Sequence, residues 1–511
     1  MSLVLPPVVS GQTTAEGFYY RGLGKQNKGD LNGAMADYTR AIELDPKYAW
    51  AYNGRGNARR DKGDFDEAIA DYNRALELDP AYTYAYNNRG NARYDKGDLD
   101  GALADYNRAI ELDSKYAYPY NGRGNVKRDK GDLDGAIADY NRGINLRPKD
   151  AYAYNGRGNA KVDKGDADGA LADFNRAIEL SPKYVYPYNG RGNARHIKGD
   201  LDGAIADYNH ALELDPKYAF PHDGRGNVKG DQGDLDGAIA DYTRALEIDP
   251  KYVKACTDRA DARRGKGDRD GAVADYNRAL ELDPKSAAAF FGLGNVEGDK
   301  GDADGAIAFY NRAIECDPKF AWAYNNRGVE KKNKGDLDGA IADYSRAVEL
   351  APKLAVAWKN RGNAHLQNRN WMGALADFRR YCELNPKDEG YPRLRIWLIR
   401  ARQGDNEAAD RELSGWLDKQ GGVASGEWVP KIAGFFLGQI SEADFFAAVN
   451  TSDVETKQGR QCEAWYYAGM KRLLAGDKAA AADAFRQCLA TGKGTFAEYD
   501  FAAAELRAMV K

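Results

Sequence analysis

Residues 120–142 read YNGRGNVKRDKGDLDGAIADYNR. Three readings compete for this stretch. GRGN resembles part of a glycine loop that grips phosphate, DLDG resembles half of a calcium loop, and AIADY has the spacing of a buried helix face. Recurrence decides between them. Asp45-Pro46 returns as Asp79-Pro80, and proline recurs at Pro148, Pro182, Pro216, Pro250, Pro284, Pro318, Pro352 and Pro386, with Ser114 in the one gap. Each step is 34 residues without insertion or deletion, which gives eleven repeats from Ala15 to Asp388. A fixed period of this size governs the fold before any local motif does.

Repeat two shows what one unit is. AWAYNGRGNARRDKGD places Tyr52, Gly56 and Arg59 on one helical face. FDEAIADYNRALELDP places Ala68, Tyr72, Ala75 and Leu76 at helical spacing. Between them Gly63 suits a helix C-terminal cap and Asp64 the N-cap of the next helix, and Pro80 ends the second helix. Each repeat is a helix–turn–helix that buries its apolar face only against its neighbours.

These residues resemble the tetratricopeptide repeat (TPR). That family has an aromatic at position four, Gly at eight, Ala at twenty, an aromatic at twenty-four, Ala at twenty-seven and Pro at thirty-two; here they are Tyr52, Gly56, Ala68, Tyr72, Ala75 and Pro80. The resemblance covers residues 15–388. It implies an all-α fold, a right-handed α-solenoid of eleven repeats, preceded by a tail over 1–14 and followed by a degenerate, TPR-like helical cap over 389–511. Position seven departs from the family's usual Leu. Ten repeats carry Arg there, and the same ten carry Asp at position twenty-three, as in Arg55 with Asp71; repeat nine has Leu293 and Phe309 instead. Joint loss of both charges is the signature of a partly buried ion pair, because one partner alone would strand a buried charge.

The other motifs lose their chemistry in this frame. A calcium loop with Gly135 at its sixth position would begin on Lys130 and end on Asn141, neither of them the required carboxylate. A dinucleotide loop needs a strand before its glycines, and Gly122-Arg123-Gly124 lies inside a helix. Net charge is −4, from 74 basic and 78 acidic residues, against a general nucleic-acid or anionic-membrane binder. No run of 18 apolar residues forms a membrane span. The four histidines end at His365, so the C-terminal region has no Cys–His or Ser–His pair, and neither catalysis nor a metal or other cofactor is expected.

The resemblance further implies that positions two, five, six, nine, twelve and thirteen of each first helix face a concave groove. Position two reads Trp50, Tyr84, Tyr118, Tyr152 and Tyr186; position five reads Asn53, Asn87, Asn121, Asn155 and Asn189; position nine reads Asn57, Asn91, Asn125, Asn159 and Asn193. An amide both donates and accepts, so two such rows suit the backbone of an extended peptide of any sequence, and aromatic rings add contact area. The amides are expected to be exposed. Mid-helix glycines at position six, such as Gly122 and Gly156, cost roughly 1 kcal/mol each relative to Ala and are expected to admit a ligand. The ladder breaks in repeats seven to nine, at Asp223, then Lys254, Thr257 and Asp261, then Ala288 and Phe291, which are expected to bound the site. The lysines of a chaperone-binding carboxylate clamp are absent.

The expected function is a protein- or peptide-binding adaptor. A self-associating structural module is the alternative, as is an envelope scaffold. The last arises because FFLGQIS from Phe435, YYAG with LLAGD from Tyr466, and the EY and AEL motifs after Phe496 resemble NlpI-type bacterial TPR lipoproteins, which recruit hydrolases or proteases. That family's lipidated cysteine is missing, as the first Cys is Cys256. The start MSLVLPPVVSGQTTAEG does not read as a signal peptide, so the expected location is cytoplasmic as the sequence stands, or periplasmic if a leader was removed. Cys462 and Cys488 are the one cysteine pair with disulfide potential.

Overall fold

A computed structural model describes residues 13–510. The N-terminal tail expected over 1–14 thus lies almost wholly outside the described residues. From Ala15 onward the chain is a succession of antiparallel helix pairs, such as Tyr118–Asp129 with Leu133–Leu146 and Ala151–Lys164 with Ala167–Leu180. No strand occurs among the described residues. The array is the all-α solenoid that the period implies. It divides into two compact halves between Ala255 and Cys256.

The turn inside each repeat follows the sequence closely. Gly63 and Gly97 adopt φ of 91° and 88°, left-handed values that spare glycine the Cβ clash. Repeat eleven puts Arg369 there at φ 58°. The aspartate that follows starts the second helix, and Asp98 accepts a hydrogen bond from the N–H of Gly101 at 2.9 Å. Asp64 occupies the same place without such a bond.

Packing between repeats is thin and turns on one ring. Tyr106, at position twenty-four of repeat three, is 1% exposed. A Cβ on Gly90 of its own repeat would lie 2.8 Å from this ring, and one on Gly122 of the next repeat 2.5 Å. Both glycines exist so that two helix backbones can close on the ring. Position-six glycines are therefore structural, contrary to the expectation that they bare backbone to a ligand. The apolar clusters of the array are correspondingly small, as with Ala102, Tyr106 and Val126.

The ion pair at positions seven and twenty-three is present and larger than expected. Arg157 donates to Asp173 from Nε at 2.9 Å and from Nη2 at 2.5 Å, and from Nη1 to Asn141 of the preceding repeat at 2.6 Å. Lys161 holds the same carboxylate at 2.8 Å. Asp173 is 3% exposed. Beyond repeat one, arginines such as Arg89, Arg157 and Arg327 thus tie their own two helices and also the repeat before.

Helix pairs continue past Asp388 as Gly390–Arg402 with Asn406–Lys419 and Val454–Leu474 with Lys478–Ala490. Here a single apolar core runs from Leu366 to Ala502 and takes in Phe378, Trp397, Trp428, Phe435 and Tyr467. The last helix, Ala497–Val510, returns to the first-helix side of repeats ten and eleven, where Asp500 meets Lys332 at 3.2 Å and Gln367 at 3.3 Å. Phe378 of repeat eleven is fully buried in this core, whereas Trp358 is half-buried with Tyr324 and Leu354 on the cluster of Ala347, Val348 and Ala357 and donates from Nε1 to the Pro352 carbonyl at 3.1 Å. Cys462 and Cys488 are free, fully buried thiols with sulfurs 3.3 Å apart.

Buried Glu463 gives this region a pH dependence. Its carboxyl accepts hydrogen bonds from the Trp428 indole and the Tyr391 hydroxyl, yet burial, together with Glu498, outweighs these and nearby Arg395, raising its pKa to about 7. The folded state then binds this proton where the unfolded chain has released it, so stability falls as pH rises from the ordinary carboxylate range to about 7. Melting of the C-terminal region should occur at lower temperature at about pH 8 than at about pH 5, and Glu463→Gln should flatten that difference. An unchanged slope in Glu463→Gln, followed by calorimetry, would exclude Glu463 as the cause.

Candidate functional site

The first helices of repeats two to six carry three parallel rows of side chains. Outermost are the aromatics of position two: Trp50, Tyr84, Tyr118, Tyr152 and Tyr186, each between 45% and 57% exposed. Rings at position thirty-four, one or two residues before the next first helix, join them into a strip. Trp50 stacks on Tyr82 at 6.3 Å, Tyr84 meets Tyr116 at 4.9 Å, and Tyr186 meets Tyr218 at 5.2 Å. The sequence reading missed these rings, although they keep the same period. The strip breaks where Asp150 replaces the ring, and Arg147 lies over the Tyr118 face there at 4.6 Å.

The second row is oriented by the buried tyrosines. Tyr72, Tyr106, Tyr140 and Tyr208 donate from their hydroxyls to Oδ1 of Asn57, Asn91, Asn125 and Asn193 at 2.5–2.8 Å. Burial holds these phenols well above the usual tyrosine range, so they remain donors. With each carbonyl engaged from behind, the amide NH2 faces the groove; that of Asn125 donates to the Tyr152 hydroxyl at 2.6 Å. Asn159 belongs to the same row, but its repeat has Phe174, which offers no hydroxyl.

The third row departs from expectation. Asn53, Asn87, Asn121 and Asn155 are buried, 3–8% exposed, and Asn189 is half-buried. Position five lies beneath the first helix of the following repeat, which closes over it. Thus Asn88, at position six of repeat three, reaches back and donates from Nδ2 to Asn53 Oδ1 at 3.0 Å, and Asn360 does the same for Asn325 at 3.0 Å. Where the following repeat has glycine at position six, the oxygen has no partner: Oδ1 of Asn87, Asn121, Asn155 and Asn189 are all buried without a hydrogen bond. Asn121 Oδ1 leans toward Gly143, while its Nδ2 donates to Asp150 at 3.1 Å. At repeat seven the row ends in an ion pair, as Lys254 donates to Asp223 Oδ2 at 2.8 Å.

Each half of the array has a cavity lined by first-helix residues. One, of about 330 Å³, sits at the gap in the aromatic strip, lined by Asn87, Asn91, Tyr118, Asn121, Asn125 and Tyr152 among others. The other, of about 690 Å³, lies in repeats eight to ten. Among the described residues no cluster of His, Cys, Asp and Glu has metal-binding geometry, and no helix is long and apolar enough to cross a membrane.

Comparison with known proteins agrees with this architecture. Family profiles described as TPR repeat match six consecutive segments between residues 27 and 233, and tetratricopeptide repeat profiles match 224–252, 257–319 and 321–354. No curated protein matches the chain. Among solved structures, a tetratricopeptide repeat protein from Parabacteroides merdae is 22% identical, with TM-score 0.40, over 47% of this chain and 94% of its own. Yeast Tom70 is 18% identical, with TM-score 0.45, over 77% of this chain and 96% of its own. YrrB, described as a TPR protein with an unusual peptide-binding site, is 25% identical, with TM-score 0.29, over 36% of this chain and 95% of its own. With its repeats matched almost without interruption from residue 27 to residue 354, the chain belongs to the tetratricopeptide repeat family.

Proposed function

We propose that the chain is a non-catalytic adaptor that holds an extended polypeptide along the first-helix face of repeats two to six. One observation carries the reading: four successive repeats leave a buried amide oxygen, on Asn87, Asn121, Asn155 and Asn189, without a hydrogen-bond partner. Each such oxygen costs about 1–3 kcal/mol while the next repeat covers it, and a ligand donor recovers that cost once the two repeats part enough to admit it. Beside each stands an Asn of position nine, held by a tyrosine hydroxyl in most repeats so that its amide donates outward. Acceptors and donors in register match the N–H and C=O groups of a peptide backbone. The exposed rings from Trp50 to Tyr186 supply contact area for its side chains.

Gly122, Gly156 and Gly190 cannot carry the side chain that Asn88 and Asn360 use, because a Cβ on each would lie 2.5 Å from a buried ring, so the test changes the amides themselves. Panning a phage-displayed random peptide library against the full chain should enrich extended binders, and Asn87→Leu, Asn121→Leu and Asn155→Leu together, which remove the unpartnered oxygens at similar volume, should lose them without unfolding the array. Tyr118→Ala with Tyr152→Ala, which trims two exposed rings and releases the Asn125 amide and Arg147 that lean on them, should weaken the same binders by roughly tenfold. Failure to enrich any peptide, or binders indifferent to both variants, removes the reading.

A further inference from the structure

The larger cavity, in repeats eight to ten, exists because the repeat rules are suspended there. Ala288 stands where seven other repeats place an exposed aromatic, and Gly298 where others place residues such as Arg60, Tyr94 or Arg128. Removing those side chains opens about 690 Å³. Two walls are aromatic. Phe291 lies 4.9 Å from Phe320 and 5.8 Å from Tyr310, and Trp322, which is 47% exposed, completes that side. The rest of the lining joins Asp258, Asp261, Asp299, Glu330 and Arg264 to the neutral Thr257, Asn295 and Asn326. Arg264 is committed to Asp299 at 2.9 Å.

Glu330 is the telling residue. At its position other repeats carry Ala58, Ala92, Val126, Ala160, Ala194 and Val228, all buried core residues. A carboxylate there gains nothing from the helix packing that the alanines serve. Its Oε1 lies where a Cβ on Gly298 would approach to 3.2 Å, so glycine at that position makes the room it needs. The chain also shows which group it holds between a ring and a carboxylate. Arg55 lies over Tyr52 while bonding Asp71, and Arg89 lies over Tyr86 while bonding Asp105. Aromatic faces beside carboxylates attract a guanidinium through both the ring quadrupole and charge-assisted hydrogen bonds.

We propose that this cavity binds an arginine side chain carried by a polypeptide lying on the groove face, as a second site beyond the amide ladder. The proposal rests on the groove reading only in taking its arginine from a peptide. Its test uses fluorine NMR of the full chain labelled with fluorotryptophan. The Trp322 line, assigned by its loss in Trp322→Phe, reports this cavity, and the Trp50 line reports the amide groove. The peptide N-acetyl-Ala-Ala-Arg-Ala-Ala-amide should shift the Trp322 line, whereas the same peptide with citrulline, isosteric and neutral, should not. High salt should weaken the effect. Glu330→Ala and Ala288→Tyr, which restore the residue types of other repeats and so preserve the fold, should each weaken binding by about tenfold or more. Equal shifts from the arginine and citrulline peptides, or an undiminished shift in both variants, overturn the proposal. The outcome is separable from the groove reading, because that reading stands or falls on the phage-selected binders and their response to the amide and ring variants.

Discussion

Replacing Arg157 by Leu should lower the stability of the array by about 3 kcal/mol, measured by urea denaturation of the full chain. The size follows from what is left behind. Asp173 is 3% exposed, so its carboxylate would keep its desolvation cost while losing two of its three bonds. Asn141 of the preceding repeat would lose its guanidinium as well. Adding Asp173→Phe removes the stranded acid but not Lys161, which would then point an ammonium at a phenyl ring. Repeat nine shows the full exchange: Leu293, Glu297 and Phe309 replace the arginine, the lysine and the aspartate. The triple variant Arg157→Leu, Lys161→Glu, Asp173→Phe should therefore recover most of the loss, to within about 1 kcal/mol of the parent chain. A triple variant no more stable than Arg157→Leu alone would show that the three residues do not act as one unit.

The way this triad could be read from the sequence shows where such reading succeeds and stops. Arg and Asp were linked because repeat nine changes both at once, and internal repetition served as a comparison among eleven copies. The lysine of position eleven escaped because it alternates with Arg59 and Arg93, and the amide of position twenty-five because Thr39 and Ser345 substitute for it. The period and the helix pairs were legible for a plain physical reason: glycine at the turn and aspartate at the N-cap act within a few residues of themselves. Burial at position five was not legible. It depends on how far the next repeat closes over Asn87 or Asn121, a matter of tertiary packing. The glycines of position six misled for the same reason, since the ring they accommodate, such as Tyr106 for Gly122, belongs to a different repeat. The end of the amide row in repeats seven to nine carries no sign of the cavity that lies in repeats eight to ten. Loss of one side-chain type reads as an absence, whereas Ala288 and Gly298 create space that other groups line.

A chain ending at Asp388 should lose solubility, and one ending at Thr491 should already be strongly destabilised. Most of the array has only small clusters of alanine and one ring per repeat to protect at its ends. Repeat eleven is different, because Leu375, Phe378 and Cys382 belong to the core that continues through Trp397, Trp428 and Tyr467. Removing residues 389–511 would open that core to solvent as one contiguous apolar face, which solenoids cover with a terminal cap. The shorter truncation isolates one element of the cap. The last helix, Ala497–Val510, supplies Glu498, which accepts from Arg395 Nη2 at 3.0 Å and from the Tyr467 hydroxyl at 2.9 Å. Arg395 is 5% exposed and lies over Phe378 and Phe501, so without Glu498 its charge would be buried beside rings and a single amide, that of Asn363. Stranding a buried charge in this way costs about 3–5 kcal/mol. Glu498→Ala in the full-length chain should show that cost without truncation, and Arg395→Leu with Glu498→Leu should return much of it, because both positions then join the apolar core around them. Light scattering on the chain ending at Asp388 decides the larger claim. A soluble monomer at high concentration would mean that repeat eleven needs no cover.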